Sequence, residues 1–378
     1  VEVRSSVVPG HPSPTRTIIV TLALDTAPDQ ILTGPLLSPR ELRSAVPSSP
    51  FAPARVADSR AELRRILAGD DDRIAVVVGP CSIHDPAAAM DYAQRLAVLS
   101  GELADRIQVI MRVYFEKPRT TVGWKGLLSD PRLDGSDDLD GGLRAARRVL
   151  ADIVDAGLPA ATEFLDPMIA GHLSDLVTYG AIGARTASSQ VHRQMVSGLP
   201  MPVGIKNGTD GDVQVAVDGI RSASSAHVFP GVDDDGRVAI VRTDGNADSH
   251  VILRGGTAGP NYDAASIADA TRRLELAGRP GRVVVDVSHG NSAKDHRRQN
   301  VVLGDIADRV AAGDRAVVGV MIESFLVEGR QDLLSGRDAA LTYGQSVTDA
   351  CIGWDDTATA LHALADAVSA RRGAGTGR

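Results

Sequence analysis

Ile74-Ala75-Val76-Val77-Val78 is an unbroken apolar run that leads through Gly79-Pro80 to Cys81. A run without polar alternation is what a parallel strand buried on both faces looks like. The pattern recurs. Residues 107–113 carry Arg112 and lead to Lys117, 160–164 contain Glu163, 181–184 meet Arg185, and 203–205 meet Lys206. Residues 251–253 meet Arg254, 283–287 lead to His289, and 316–322 meet Glu323. Eight such runs are separated by stretches that mostly carry a helical pattern. Strand–helix alternation repeated in this way predicts an α/β chain closed into a (β/α)8 TIM barrel. Reactive residues in such barrels gather at the C-terminal ends of the strands. One site holding a thiol, an imidazole, carboxylates and several cations is therefore expected.

The length of 378 residues suits one barrel of about 250–300 residues plus an extension. Aromatic content is only 3%, so Val, Ala, Leu and Ile must fill the core. The formal net charge of −8 argues against nucleic acid and against an anionic membrane as partners. It also makes cations gathered at strand ends more informative. The two cysteines, Cys81 and Cys351, form no disulfide framework, and a reducing cytoplasm is the expected location. No apolar stretch of about 18 residues is present to span a membrane.

Residues 1–72 stand apart from the repeat as an N-terminal extension, expected to be partly disordered and to plug the closed end of the barrel or reach a neighbouring subunit. Within it, 17–24 reads as β-like, the segment around Pro50, Phe51, Pro53 and Ala54 as irregular, and 59–68 as a helix capped by Ser59. The barrel is placed at 73–372, followed by a flexible tail at 373–378. Asp85 caps one helical run, and others cover 143–154, 263–277, 299–312 and 357–370. Gly157, Gly180, Gly278 and Gly313 read as helix C-terminal caps. Two insertions break the rhythm. The loop 117–142 has the length of a binding loop or lid. Residues at about 226–246 read as an inserted β-hairpin turning at Asp233-Asp234-Asp235-Gly236.

Cys81, His289 and Glu323 end the first, seventh and eighth runs, which a closed barrel makes neighbours, and Asp349 follows the eighth. A lone Cys is more often a small core residue than a ligand. Together, one thiolate, one imidazole and two carboxylates suit a divalent first-row metal. The set is too soft for Mg²⁺ or Ca²⁺ and harder than a structural zinc site. Cys351 reads as structural, although its nearness in sequence to Asp349 could bring it close to Cys81, and His84 reads as a loop residue or one that supports the ligands. Arg112, Lys117, Arg119, Arg185, Lys206 and Arg254 supply more positive charge than one phosphate needs. A metal Lewis acid beside an anion trap points to carbonyl chemistry on phosphorylated metabolites. Neither a Walker loop nor a Rossmann fingerprint is present.

At these residues the chain resembles the type I 3-deoxy-D-arabino-heptulosonate 7-phosphate (DAHP) synthases. The resemblance rests on Gly79-Pro80-Cys81-Ser82-Ile83-His84, on the stretch from Met111 to Gly126 containing Lys117-Pro118-Arg119-Thr120, and on Gly180-Ala181-Ile182-Gly183-Ala184-Arg185-Thr186. Lys206-Asn207-Gly208-Thr209-Asp210-Gly211, Ile252-Leu253-Arg254-Gly255-Gly256 and the stretch from Ser346 to Trp354 complete it, over roughly 60–372. It implies condensation of phosphoenolpyruvate with erythrose 4-phosphate and water, the entry step of the shikimate route. It further implies that Cys81, His289, Glu323 and Asp349 hold Mn, Fe, Co or Zn. Arg112, Lys117, Arg185, Lys206 and Arg254 look like the phosphoenolpyruvate contacts, with Ala184 and Asp349 also facing substrate. Arg119 and Thr120 look like the contacts to the phosphate of erythrose 4-phosphate. Lys117 is the expected proton donor and Glu163 the expected water-positioning group; His289 is counted with them as catalytic. Homodimers or homotetramers are implied. Regulated members usually carry a Pro-Gln pair where Ala170-Gly171 stand here, and Pro200 replaces a usual Ser. Feedback by an aromatic amino acid is accordingly expected to be weak or altered. Two rival readings are a synthase acting on a longer sugar and a non-catalytic metabolite-binding barrel.

Overall fold

The computed structural model describes residues 34–333 and 341–375. The β-like run at 17–24 lies outside the described residues. Two units separate at Pro35, and Leu36–Arg378 carries every described element.

Two helices, α1 (Pro39–Ala45) and α2 (Ala52–Ala68), precede the barrel. Then come β1 (Ile74–Gly79), α3 (Pro86–Leu103), β2 (Ile107–Arg112), α4 (Leu139–Asp155), β3 (Ala160–Glu163), the short α5 (Ala170–Leu173), β4 (Tyr179–Ile182), α6 (Gln190–Gly198), β5 (Val203–Lys206) and α7 (Gln214–Ala223). A hairpin follows, β6 (His227–Val232) and β7 (Val238–Thr243). The barrel resumes with β8 (His250–Leu253), α8 (Ala264–Leu276), β9 (Val283–Asp286), α9 (Arg298–Ala311) and β10 (Val317–Glu323). After β11 (Val327–Arg330) and β12 (Gln345–Ser346), α10 (Trp354–Gly375) ends the described chain. The closed barrel runs β1-β10-β9-β8-β5-β4-β3-β2, with parallel neighbours throughout. Every residue of its eight strands is buried, which is why those strands read as aliphatic runs rather than as alternations. The (β/α)8 TIM barrel expected from the sequence is the fold found.

Each side of the barrel wall packs a different core. Ala75, Val77, Ile110, Ala161, Tyr179, Ala181, Ile252, Val284, Val318 and Met321 form one cluster, joined by Leu63 and Ile66 of α2. This is the barrel interior, and α2 closes its N-terminal end. Arg60 donates to Val177 O, Arg64 to Pro200 O, and Gln108 Nε2 to Ser59 O, which ties α2 to the loops that enter β4 and β5 and to the start of β2. The larger cluster lies between the strands and the outer helices.

Four local expectations need correction. Helix α2 begins at Ala52, seven residues before the expected cap. Pro53 sits in its first turn, where a missing N–H costs nothing, and Ser59 instead turns its hydroxyl back to Arg55 O at 2.7 Å. Gly180 caps no helix; it lies inside β4, paired with Thr162 on one side and Val203 on the other. The preceding helical turn ends at Leu176 without a glycine. Helix α10 continues to Gly375, past the expected start of the tail. Gly157, Gly278 and Gly313 do follow helices with positive φ.

The hairpin turns where Asp233 Oδ1 accepts from the backbone N–H groups of Asp235 and Arg237. Its tip meets α1: Arg40 N donates to Asp234 O at 2.9 Å, and Arg40 and Arg43 pair with Asp235 and Asp234. Among the described residues no helix is long and apolar enough to cross a membrane.

Candidate active site

Barrel closure brings the donors together. In the β1–β10 ladder Gly79 stands opposite Glu323, so the Cys81 loop leaves the barrel beside the glutamate. Ile352 N donates to Glu323 O at 3.0 Å, which draws the 349–352 segment to the same rim. The Cys81 sulfur and one carboxylate oxygen each of Glu323 and Asp349 consequently lie within 4.8 Å of one another. His289, three residues past β9, places Nε2 3.8 Å from Glu323 Oε1. Three residues far apart in sequence thus share one small volume, and His289 borders it on the side of Glu323.

The electrostatics of this volume suit a cation. Burial, with Glu323 beside it, pushes the Cys81 thiol up to about 12, so a thiolate needs added positive charge. Lys117 supplies part of it, with Nζ 2.8 Å from the sulfur. Burial works against ionisation of Asp349 too, but Lys117 and His289 prevail and hold its carboxyl below the ordinary value. A thiol and two carboxylates drawn together, with an imidazole beside one of the carboxylates, match the donor preferences of a divalent transition metal, whose charge would hold the sulfur deprotonated.

The cations divide into two groups. Arg112 is buried at 1% exposure. It donates to Pro80 O at 3.1 Å, Cys81 O at 3.2 Å and Glu323 Oε1 at 3.1 Å, and lies 3.5 Å over the Tyr114 ring. Lys206 is buried and donates to Asp286 at 2.8 Å. Arg254 follows β8; burial lowers its pKa, Asp286 opposes this, and nearby Arg185 adds to it. Arg112, Lys117, Arg185, Lys206 and Arg254 therefore belong to one charged mouth, with Ala184 two residues past β4 and next to Arg185. Arg119 and Thr120 stand exposed on the long loop, and Arg119 Nε donates to Trp124 O at 2.7 Å, away from the cluster. Glu163 ends β3 with Oε1 buried and without a hydrogen-bond partner among the described residues. A Cβ at Gly183 would collide with that carboxylate, so glycine there preserves its room.

Several supporting residues escaped the sequence reading. Asp286 was hidden inside an aliphatic run, where its charge was the available signal. Tyr114 stacks under Arg112. Gln299 grips the backbone of Glu323 from both sides, at 3.0 and 2.9 Å. Asn207 accepts from Arg254 N at 2.8 Å and donates to Gly255 O at 2.9 Å, while Asn261 accepts from Gly255 N at 2.7 Å. These amides shape the loop that carries Arg254; Asn207 lies in a stretch that carries the resemblance but had no role assigned, and Asn261 lies in none.

The chain is similar to known proteins over most of its length. The DAHP synthetase I family model matches residues 52–362. The Phe-sensitive phospho-2-dehydro-3-deoxyheptonate aldolase of Escherichia coli K12 is 53% identical over 338 residues, covering 89% of this chain and 96% of its own. A phospho-2-dehydro-3-deoxyheptonate aldolase of Corynebacterium glutamicum is 52% identical over 345 residues, covering 90% and 93%. The solved structure of the corresponding aldolase from Francisella tularensis superposes with a TM-score of 0.87 at 47% identity, covering 92% of this chain and 100% of that one. With its barrel, its clustered donors and a match over most of its length, the chain belongs to the DAHP synthetase I family.

Proposed function

We propose that the mouth of the barrel carries out the DAHP synthase reaction, with Cys81, His289, Glu323 and Asp349 as the metal ligands. Phosphoenolpyruvate, D-erythrose 4-phosphate and water give DAHP and phosphate, the first step of the shikimate pathway. The observation that carries the reading is the approach of Cys81, Glu323 and Asp349 to within 4.8 Å of one another, under the Lys117 ammonium. A divalent ion held there, Mn, Fe, Co or Zn, would supply Lewis-acid polarisation of the aldehyde oxygen.

The chain's own groups do the rest. Phosphoenolpyruvate brings about three negative charges, which Arg112, Lys117, Arg185, Lys206 and Arg254 bind and orient by bidentate and point-charge contacts. Ala184 lines the same pocket, and Asp349 faces substrate as well as metal. Arg119 and Thr120, exposed on the long loop, are the contacts to the phosphate of erythrose 4-phosphate. The enol carbon attacks the aldehyde, and Lys117 donates the proton to the developing alkoxide. Its ammonium form is favoured, because Cys81, Glu323 and Asp349 together outweigh burial and the neighbouring Arg112. Positive charge then develops at C2, where Glu163 positions the incoming water through its free oxygen. The tetrahedral species expels phosphate.

Phosphoenolpyruvate consumption that stops with chelator and returns with Mn²⁺ tests this reading. Retained turnover in full chelator, or a preference for arabinose 5-phosphate over erythrose 4-phosphate, would overturn it. Near-normal turnover by Lys117→Met would remove the proton-donor role. The enzyme is proposed to work in the cytoplasm as a homodimer or homotetramer.

Response to an aromatic amino acid is proposed to be weak or altered. Ala170 and Gly171 occupy α5, where Gly171 packs beside Pro39 and His172 Nε2 lies 2.8 Å from Leu37 O. Inhibition by micromolar Phe or Tyr would exclude this. Relatives sensitive to Phe, Trp and Tyr make that assay worth running first.

A further inference from the structure

Asp286 is fully buried at the end of β9, and both of its oxygens are engaged. Oδ2 accepts from Lys206 Nζ at 2.8 Å and lies 3.0 Å from His289 Nδ1. Oδ1 accepts from Ser288 N at 3.0 Å and from Ser288 Oγ at 2.5 Å. One carboxylate oxygen thus touches both the lysine assigned to phosphoenolpyruvate and the histidine assigned to the metal.

The backbone supports the arrangement. His289 adopts φ 57, a left-handed conformation that a non-glycine residue occupies at a cost. The strain persists because both ends of the residue are fixed. Lys294 N donates to His289 O at 2.7 Å, and Nδ1 is held between Asp286 and Ser288 Oγ, the latter at 2.7 Å. An ionised carboxylate can only accept, so it selects the tautomer with hydrogen on Nδ1. Nε2 is then left with its lone pair on the side of Glu323.

We propose that Asp286 is a positioning residue that couples metal binding to phosphoenolpyruvate binding through this shared oxygen. The proposal rests on the roles given above to Lys206 and His289. A cation on Nε2 makes Nδ1–H a stronger donor and draws the carboxylate charge toward the ring. The hold on Lys206 loosens, and its ammonium becomes available to an anion. By linkage the effect is reciprocal: phosphoenolpyruvate drawing on Lys206 leaves more of the carboxylate for His289 and tightens the metal.

The test measures Mn²⁺ affinity by equilibrium dialysis and phosphoenolpyruvate affinity by calorimetry, on the full chain with and without metal. In the unaltered protein, saturating Mn²⁺ tightens phosphoenolpyruvate binding. In Asp286→Asn the amide can donate to Nδ1 and favours the wrong tautomer. Mn²⁺ affinity then falls about 10–100-fold, and the ratio of phosphoenolpyruvate affinities with and without metal collapses toward one. A Co²⁺-loaded sample should also show a changed thiolate-to-metal absorption band, which a loss of fold stability alone would not produce. If Asp286→Asn does not fold, Ser288→Ala decides, since it frees the carboxylate to turn. A severalfold weaker Mn²⁺ affinity supports the coupling, and an unchanged one overturns it. An unaltered protein that binds neither probe removes the reading of the site, and the coupling with it. One that binds both overturns the coupling alone if metal leaves phosphoenolpyruvate affinity unchanged, or if Asp286→Asn keeps the same Mn²⁺ affinity and ratio.

Discussion

The two ends of the barrel solve opposite problems. The C-terminal mouth buries Arg112, Glu323, Lys206 and Asp286, each paired across strands. The N-terminal floor is sealed by Leu63 and Ile66 of α2 against the aliphatic interior, where Tyr179 and His250 form a neutral polar pair at 2.8 Å. Buried charge pairs add little net stability over well-packed apolar residues, yet breaking one is costly. Apolar burial stabilises in proportion to area and has no chemistry to offer. The mouth therefore carries reactivity held in place by its own pairing, while the floor carries the packing that lets the mouth tolerate it.

Glu323→Ala should break this contrast most severely. It removes a metal ligand and leaves Arg112 buried without its carboxylate, so turnover should vanish and stability should fall by about 3–5 kcal/mol in denaturant unfolding. Leu63→Ala at the floor should cost about 2–5 kcal/mol through the cavity it leaves. Its kcat per folded molecule should stay near normal; a matching loss of kcat would show that floor and mouth are not separable. Metal sharpens the distinction. Mn²⁺ at a hundred times its Kd should stabilise the protein by about 2.7 kcal/mol. Thermal melts should retain that gain in Leu63→Ala and lose it in Cys81→Ala.

The two ends should also differ in pH dependence, with opposite signs. At the mouth, burial with Asp166 nearby pushes the Glu116 carboxyl up from 4.5 to about 8. A folded value above the unfolded one means its contribution is complete below about 4.5 and is lost as the pH rises through about 8. At the floor, burial pushes His250 down from 6.5 to about 4. Its contribution is complete above about 6.5 and is lost as the pH falls through about 4. Melting temperatures across that range should show Glu116→Gln flattening the alkaline decline and His250→Gln flattening the acid one. Swapped or absent effects would mean that neither group is buried as described.

Much of the barrel was readable because parallel strands covered on both faces must be aliphatic, and because strand ends bearing Cys81, His289 and Glu323 interrupt that monotony. The helix at α2 was misjudged because Pro50 and Pro53 look like breakers. A proline in the first helical turn breaks nothing, and only the packing of Leu63 and Ile66 into the interior explains the helix's course. Asp286 was overlooked for a related reason. Inside an aliphatic run a single carboxylate looks incidental until Lys206 and His289 are seen to meet it.

Sequence alone determined the strand–helix alternation, the reactive residue types and their assignment to strand ends, because side-chain burial imposes its periodicity on the chain locally. Tertiary structure decided which of those residues meet. Closing β1 onto β10 brings Cys81 to Glu323, and the return of the chain after β12 adds Asp349. Contacts of that kind join residues hundreds of positions apart, and their geometry depends on strand register, which local composition does not encode.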